Sequence, residues 1–329
     1  MSKKIGFWLN NARYVSLPQS VLPAILAVWI ARTESDFAII CSILAIFGIA
    51  CAHLGMNLLD DYFDYQKKGA QIRDHLAAAG FRARIAKCEY LTSGKTTMKS
   101  LFTAACVFLL LALACGTYIL ILRGLPILYI TLITGILGVC YSGKPLRLSY
   151  RGLGEIVITV IFGPCIMIGA YLAACGTITS SIMFISVPVG LWVGNIVYTH
   201  SIMDFEPDKS VGKMTLAVRI NHQTGMLIVS SIFLFLPYII LTAGVVFFQL
   251  KITYLFVFLT LPLAISLFRL LIIFLKDPQR KMKPRFWMGP MEKWKDITDA
   301  GIEWFMIRWY SARNLLIFLC LIIFIVEIF

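Results

Sequence analysis

FAIICSILAIFGIACAHLGMNLLDDYFDY, residues 37–65, is an apolar run that ends in three aspartates, Asp60, Asp61 and Asp64. Up to Leu59 it contains no Asp, Glu, Lys or Arg. As a helix it is long enough to cross the roughly 30 Å hydrocarbon core of a bilayer. Outward from this stretch the same pattern recurs, near 15–31, 37–59, 101–122, 125–141, 156–175, 181–200, 225–248, 253–275 and 311–329. The first of these is interrupted by Pro18 and Pro23 and contains Gln19. Across all 329 residues, 59% are hydrophobic, only 14% are charged, and the mean hydropathy is +0.83. A chain so apolar is not a water-surrounded globule. The reading is an all-α, polytopic membrane protein of nine transmembrane helices.

Orientation follows from the 30 Lys and Arg residues. Nearly all fall in the N-terminal segment and in every second loop, where short cationic loops remain in the cytoplasm. Only Arg32, Arg123 and Lys251 fall on the other side, and Arg269 and Arg313 fall inside spans. The N-terminus is therefore expected in the cytoplasm and the protein in the cell's inner (cytoplasmic) membrane. Lys3, Lys4, Asn10, Asn11 and Arg13 do not read as a cleaved signal. The formal charge of +13 is mostly a topology signal, with some attraction to membrane lipids, and no nucleic-acid partner is expected. The nine cysteines form no C-x-x-C pair and read as small core residues.

Two connections on the expected cytoplasmic side are long. Residues 60–100 include RDHLAAAGFRARIAKCEYL, basic and partly helical in pattern. Residues 276–310 lead from KDPQRKMKPRFWMG into a Trp-rich amphipathic stretch suited to the interface. No compositional break divides the chain, so residues 1–329 read as one domain.

The aspartates after Leu59 need a reason to be there. On a helix His53, Asn57, Asp61 and Asp64 share one face, with Asp60 on its flank. After the sixth span, HSIMDFEPDKSVGKMTLAVR repeats the device: Asp204 and Asp208 stand four apart, with Glu206 between them. Six of the 17 acidic residues thus occupy two short stretches at equivalent helix ends. Crowded carboxylates raise one another's pKa unless a cation neutralises them. Oxygen ligands without several Cys or His suit Mg²⁺, which keeps waters and is completed by substrate phosphate oxygens. Solvated acid at a membrane boundary is the plainer reading of either cluster alone; the pair of clusters favours a metal site. A lone intramembrane His, such as His53, more often makes a packing hydrogen bond than catalyses. Arg269 is expected to snorkel or pair.

YSGKPLRLSYRGLGE, residues 141–155, supplies Lys144, Arg147 and Arg151. With Lys213 these can meet the charge of a diphosphate that a metal leaves unpaired, or merely anchor their loops to headgroups. TSGKTT at 92–97 lacks the first Gly of a P-loop, which falls on Glu89, and no strand precedes it.

Together, N-x-x-x-D-x-x-D from Asn57, Y-R-G-L-G-E at 150–155 with FGP at 162–164, and D-x-x-x-D followed by G-K-x-T-L-A-V-R at 212–219 resemble the UbiA superfamily of intramembrane prenyltransferases. The likeness runs from about residue 13 to RWYSARNLL at 308–316 and is greatest to the MenA branch, the 1,4-dihydroxy-2-naphthoate polyprenyltransferases. The resemblance implies a nine-helix bundle around a central cavity, with Mg²⁺ held against a polyprenyl diphosphate. Asn57, Asp61 and Asp64 match the first motif, Asp204 and Asp208 the second, and Lys213 the residue after it. It implies transfer of the prenyl group to an aromatic acceptor, with His53 a candidate to orient or deprotonate that acceptor. Three positions depart from the family pattern. His200 stands where an Asn is usual, Met203 where an Arg is common, and Ala70 follows Gly69 so that the next acid is Asp74. These departures bear on the acceptor more than on the chemistry. Alternatives are the same transfer to 4-hydroxybenzoate, homogentisate or a glycerol phosphate, or a cation-coupled transporter. A transporter would place its acids at midplane within inverted repeats.

Overall fold

The computed structural model describes residues 2–66, 88–278 and 280–328, and all its named elements are helical. Most of the basic connection after the second expected span, including Gly69, Ala70 and Asp74, lies outside the described residues. Among the described residues eight helices are long and apolar enough to cross a membrane. They are α3 (Ile39–Gln66), α5 (Met98–Arg123), α6 (Leu125–Ser142), α7 (Gly154–Cys175), α8 (Ser180–Met203), α11 (Gln223–Phe248), α12 (Ile252–Lys276) and α14 (Glu303–Val326). Shorter helices fill the connections: α1 (Ser2–Asn11), α4 (Glu89–Thr92), α9 (Phe205–Ser210), α10 (Leu216–Ile220) and α13 (Trp294–Asp299). The expected span at 15–31 is the 14-residue α2, Pro18–Ala31, which follows a 3₁₀ turn at Tyr14–Ser16. Pro18 opens it, since a ring without an N–H costs nothing at a first helical position.

The last span begins at Glu303, well before the expected residue 311. The Trp-rich stretch therefore forms the first turns of a buried helix. Its charge, Arg308, is fully buried and donates to the carbonyl oxygens of Leu270 (3.0 Å) and Trp304. Its guanidinium also sits 4.9 Å above the Phe274 ring.

Contacts divide the chain into two compact units, one comprising Met1–Leu148 and Pro164–Ile182, the other Ser149–Gly163 and Met183–Phe329. In the first, α3 lies against α5 around Leu54, Leu58, Leu101 and Ala105. Gly55 permits the approach: a Cβ there would lie 2.9 Å from Leu109 and 3.2 Å from the Ala105 carbonyl oxygen. Arg123, ending α5, donates to the carbonyl oxygens of Asp36, Ala173 and Ala174. The Ala173 and Ala174 carbonyls are among those that the end of α7 leaves without an intrahelical partner.

The second unit contains the first half of α7, which ends in a π-helical turn at Ile161–Cys165 holding Pro164. A missing N–H inside a helix is a usual cause of such a bulge. This half presses on α8 through Gly163, Gly190 and Gly194. A Cβ on Gly163 would lie 2.4 Å from the Ser186 carbonyl oxygen, and one on Gly190 2.3 Å from that of Thr159. Gly190-Leu-Trp-Val-Gly194 is the small-xxx-small spacing that lets two membrane helices touch backbone to backbone. On another side of α8, Trp192 Nε1 donates to the Leu234 carbonyl oxygen at 3.2 Å and the Tyr198 hydroxyl to that of Met226 at 3.2 Å.

The stretch around Trp287 packs against two spans. Trp287 Nε1 reaches Ser266 Oγ, well inside α12, at 2.9 Å. Asn314 Nδ2, well inside α14, donates to the carbonyl oxygens of Met288 (2.8 Å) and Pro290 (3.0 Å). The segment folds back along two spans, and Asn314 supplies the bonds that non-helical backbone needs at that depth.

Candidate active site

In the first unit Asn57, Asp60, Asp61 and Asp64 occupy the last turns of α3, as the spacing predicts. Asp61 and Asp64 are buried, whereas Asp60 is half-buried. Asp61 accepts from Arg13 Nη1 at 2.8 Å and from the Tyr90 hydroxyl at 2.9 Å. Arg13 Nη2 bonds the Asn57 carbonyl oxygen at 2.9 Å and approaches Asp60 at 3.4 Å. Ser142 also donates to Asp60. Asn57 Nδ2 donates to the Ala12 carbonyl oxygen at 2.9 Å. Arg13 adopts φ 60°, in the left-handed region, which turns its side chain onto the acids. Burial lowers the Arg13 pKa, but Asp61 and Asp60 raise it further, so the net shift is upward. The Tyr90 phenol is pushed up by burial and by Asp61 and remains a donor. Arg13 and Tyr90 are the residues that sequence reasoning missed here. They lie in short segments far from Asp61 along the chain, with no spacing that links them to it.

His53 lies one turn before Asn57 on α3. Its Nδ1 is 2.7 Å from Ser20 Oγ and its Nε2 3.2 Å from Ser16 Oγ. Both ring nitrogens are thus engaged by serines, the arrangement of a packing histidine. Lys144 and Arg147 belong to this unit, Lys144 exposed and Arg147 half-buried with its Nε buried and unbonded.

In the second unit α8 stops at Met203 and α9 starts at Phe205, leaving Asp204 at the break. Pro207 causes it, because its ring removes the N–H that would bond Met203 and crowds that carbonyl. Asp204 and Asp208 are buried; Glu206 is exposed and fits a solvated face. The chain then turns at Gly212 (φ 68°), and the Lys213 N–H donates to the Asp208 carbonyl oxygen at 2.9 Å. Two sequence motifs meet here. Arg151 and Met214 pair as a parallel bridge, Arg219 Nη1 donates to the Arg151 carbonyl oxygen at 2.7 Å, and Lys213 Nζ lies 5.8 Å from the Tyr150 ring centre. Beneath them Glu155 is buried. Its Oε1 accepts from the Ser201 hydroxyl and from the Leu216 N–H at 3.3 Å, and its Oε2 is buried without a partner. Glu155 thereby ties the start of α7 to α8, three residues before Asp204, and to the segment after Lys213. Its position closing Y-R-G-L-G-E was the available signal. His200, half-buried, packs edge-on against Phe305 with ring centres 4.8 Å apart.

Among the described residues no three His, Cys, Asp or Glu side chains form a group that could hold an ion by themselves. Carboxylates in pairs at helix ends nevertheless fit Mg²⁺, which takes one or two carboxylates and completes its octahedron with water and phosphate rather than an all-protein cage.

Among the described residues, eight apolar spans, with buried acids at or just past the ends of two of them, define a polytopic membrane protein. The family model described as the UbiA prenyltransferase family matches residues 20–294, and the chain belongs to that family of prenyltransferases. It is 23% identical over 218 residues to 1,4-dihydroxy-2-naphthoate octaprenyltransferase of Bacillus subtilis, covering 66% of this chain and 67% of that one. It is 29% identical over 193 residues to UbiA prenyltransferase domain-containing protein 1 of Rattus norvegicus, covering 57% and 54%. The fold matches a UbiA homologue from Archaeoglobus fulgidus bound to GPP and Mg²⁺, with a TM-score of 0.58, 16% identity, and 94% and 99% of the two chains covered.

Proposed function

We propose that the protein transfers a polyprenyl group from polyprenyl diphosphate to 1,4-dihydroxy-2-naphthoate, in a cytoplasmic membrane with its basic loops inside. The observation that carries this reading is the assembly in the second unit. There the Y-R-G-L-G-E loop and the G-K-x-T-L-A-V-R segment join beside buried Asp204 and Asp208. Such an arrangement of acids and cations suits a metal–diphosphate and has no use in a lipid-packing surface. The MenA-like motifs and the likeness to the Bacillus 1,4-dihydroxy-2-naphthoate octaprenyltransferase support the naphthoate as acceptor.

Asn57, Asp61 and Asp64 in one unit, and Asp204 and Asp208 in the other, are the proposed Mg²⁺ ligands. Bound Mg²⁺ would supply charge to the leaving diphosphate. Lys213 and Arg151, and on their own loop Lys144 and Arg147, answer the anionic charge left over, which grows as the allylic C–O bond breaks. The carbocation is then captured by the electron-rich ring, which loses its carboxylate. Apolar walls of the spans keep water from the cation.

Purified protein incubated with labelled polyprenyl diphosphate and the naphthoate tests the reading. Asp61→Ala and Asp204→Ala should each abolish transfer in a folded, membrane-inserted protein, and EDTA should do so reversibly. Normal turnover in either variant would remove the site assignment.

A further inference from the structure

Three cations of the second unit stand where a membrane protein seldom leaves them. Arg269 lies on α12, seven residues from its Lys276 end, and is exposed. Lys283 and Arg285, also exposed, lie on the segment that folds back along α12. None of the three has an ion pair or side-chain hydrogen bond among the described residues; Arg285 only faces the Trp287 ring at 5.5 Å. The acids of the segment do not serve them. Glu303 pairs with Lys281 at 3.0 Å, Glu292 with Arg313 at 3.8 Å, and Asp277 sits at the mouth beside Lys276.

Their depth follows from the helices. α14 is bracketed by the Lys281–Glu303 pair at one end and the Lys251–Glu327 pair, 3.4 Å, at the other. A hydrocarbon core of about 30 Å has to fit between these ends. Asn314, which holds the tip at Met288 and Pro290, lies about 16 Å from Glu303 along the helix, and Ser266, which holds Trp287, about 15 Å from Lys276. Arg269 is one turn from Ser266 on the same stripe. Arg285, about 7 Å of extended chain before Trp287, comes to the same level. The backbone supplies a second, independent sign. The N–H groups of Lys281, Met282 and Lys283 make no hydrogen bond among the described residues, and Pro284 has none to offer. Lys281 pairs with Glu303 at the end of α14, so these N–H groups lie close to the membrane boundary, where non-helical backbone with unbonded N–H groups must face water or polar headgroups rather than acyl chains.

We propose that Arg269, Lys283 and Arg285 form a binding site for the phosphate of an anionic phospholipid, drawn below the bilayer surface along α12. Arginine forks match a phosphodiester, and three unpaired cations favour a headgroup that brings no cation of its own. The acyl chains would lie on the apolar side of the tip, where Phe286 is 92% exposed and Ile265 53%. The site lies wholly in the second unit and does not depend on which acceptor is prenylated.

The test is the thermal-unfolding midpoint of the purified full chain in micelles, titrated with phosphatidylglycerol, phosphatidylcholine or inorganic phosphate. Phosphatidylglycerol alone should raise the midpoint of the native chain and of R269K/R285K. R269Q/K283Q/R285Q should need at least about tenfold more lipid for half the shift. An equal response of the Gln variant, or an equal shift by phosphatidylcholine, would overturn the proposal, and a shift reproduced by inorganic phosphate would overturn its assignment to lipid. Should the triple variant not fold, K283Q and R285Q alone, on the exposed segment, decide it: each should weaken the response to phosphatidylglycerol, and no change in either overturns the site.

Discussion

Arg13 Nη1 donates to Asp61 Oδ1 at 2.8 Å, joining a turn before the first long span to the end of that span. The contact gives a buried carboxylate an internal cation, and Asp60 and the Asn57 carbonyl oxygen share the same guanidinium. Removing one partner of a buried ion pair leaves the other uncompensated, at a cost of about 3–5 kcal/mol. Arg13 keeps 18% of its side chain exposed, so Arg13→Ala should fall at the lower end of that range. Arg13→Lys, which keeps charge but not the fork, should lose less. Unfolding midpoints in detergent check this, and an unchanged midpoint for Arg13→Ala would show that Asp61 needs no internal cation.

Glu155 should act through position rather than charge. One carboxylate oxygen takes both hydrogen bonds and the other takes none, so an amide that places its oxygen at Oε1 preserves both. Glu155→Gln is expected to keep prenyl transfer within about twofold. Glu155→Ala should lower kcat/KM at least about tenfold, roughly 1.4 kcal/mol, as the segment bearing Lys213 loses its tie. Initial rates with varied diphosphate decide it. A Gln variant as impaired as the Ala variant would mean that the negative charge itself is required.

His53 is a second point where structure sharpens the sequence reading. A neutral imidazole held between Ser16 and Ser20 donates with one nitrogen and accepts with the other. Losing such a partly buried hydrogen bond costs about 0.5–1.5 kcal/mol. His53→Ala should therefore lower the unfolding midpoint while leaving kcat within about tenfold. A hundredfold or greater loss of kcat at an unchanged midpoint, the size expected of a lost general base, would support the catalytic role.

Much of this was legible in the sequence, and the gaps have physical causes. The spans and the four buried aspartates follow from hydropathy and a 3.6-residue repeat, which are local signals. The start of α14 was hidden because Glu303 and Arg308 lower its hydropathy, although Lys281 pairs with Glu303 and two backbone carbonyls accept from Arg308. The fold-back of residues 277–302 depends on Trp287–Ser266 and Asn314–Met288, contacts between distant residues that no periodicity announces. Arg13 and Tyr90 share that invisibility. The close crossing at Gly163, Gly190 and Gly194, which sets Glu155 beside Ser201, is a backbone-to-backbone contact between spans that hydropathy does not reveal.

His200, beside the second acid cluster, bears on the proposed acceptor. His200 precedes Asp204 by one helical turn, its carbonyl oxygen accepting from the Asp204 N–H at 2.8 Å, and its ring packs on Phe305 with Trp309 at 6.5 Å. An Asn at this position, usual in the family, would not fill that aromatic corner, so the imidazole shapes whatever lies beside it. The MenA-like motifs favour the naphthoate, whose second ring offers more apolar area to an aromatic wall than a single benzoate ring. Transfer to 1,4-dihydroxy-2-naphthoate should exceed transfer to 4-hydroxybenzoate at least about tenfold in kcat/KM, a difference of roughly 1.4 kcal/mol in transition-state binding. His200→Asn should keep that order, because the MenA-like motifs on which the preference rests lie at other positions. Parallel assays of both acceptors with one labelled polyprenyl diphosphate measure the ratio. If the benzoate is the better substrate, the naphthoate assignment fails while membership of the prenyltransferase family stands.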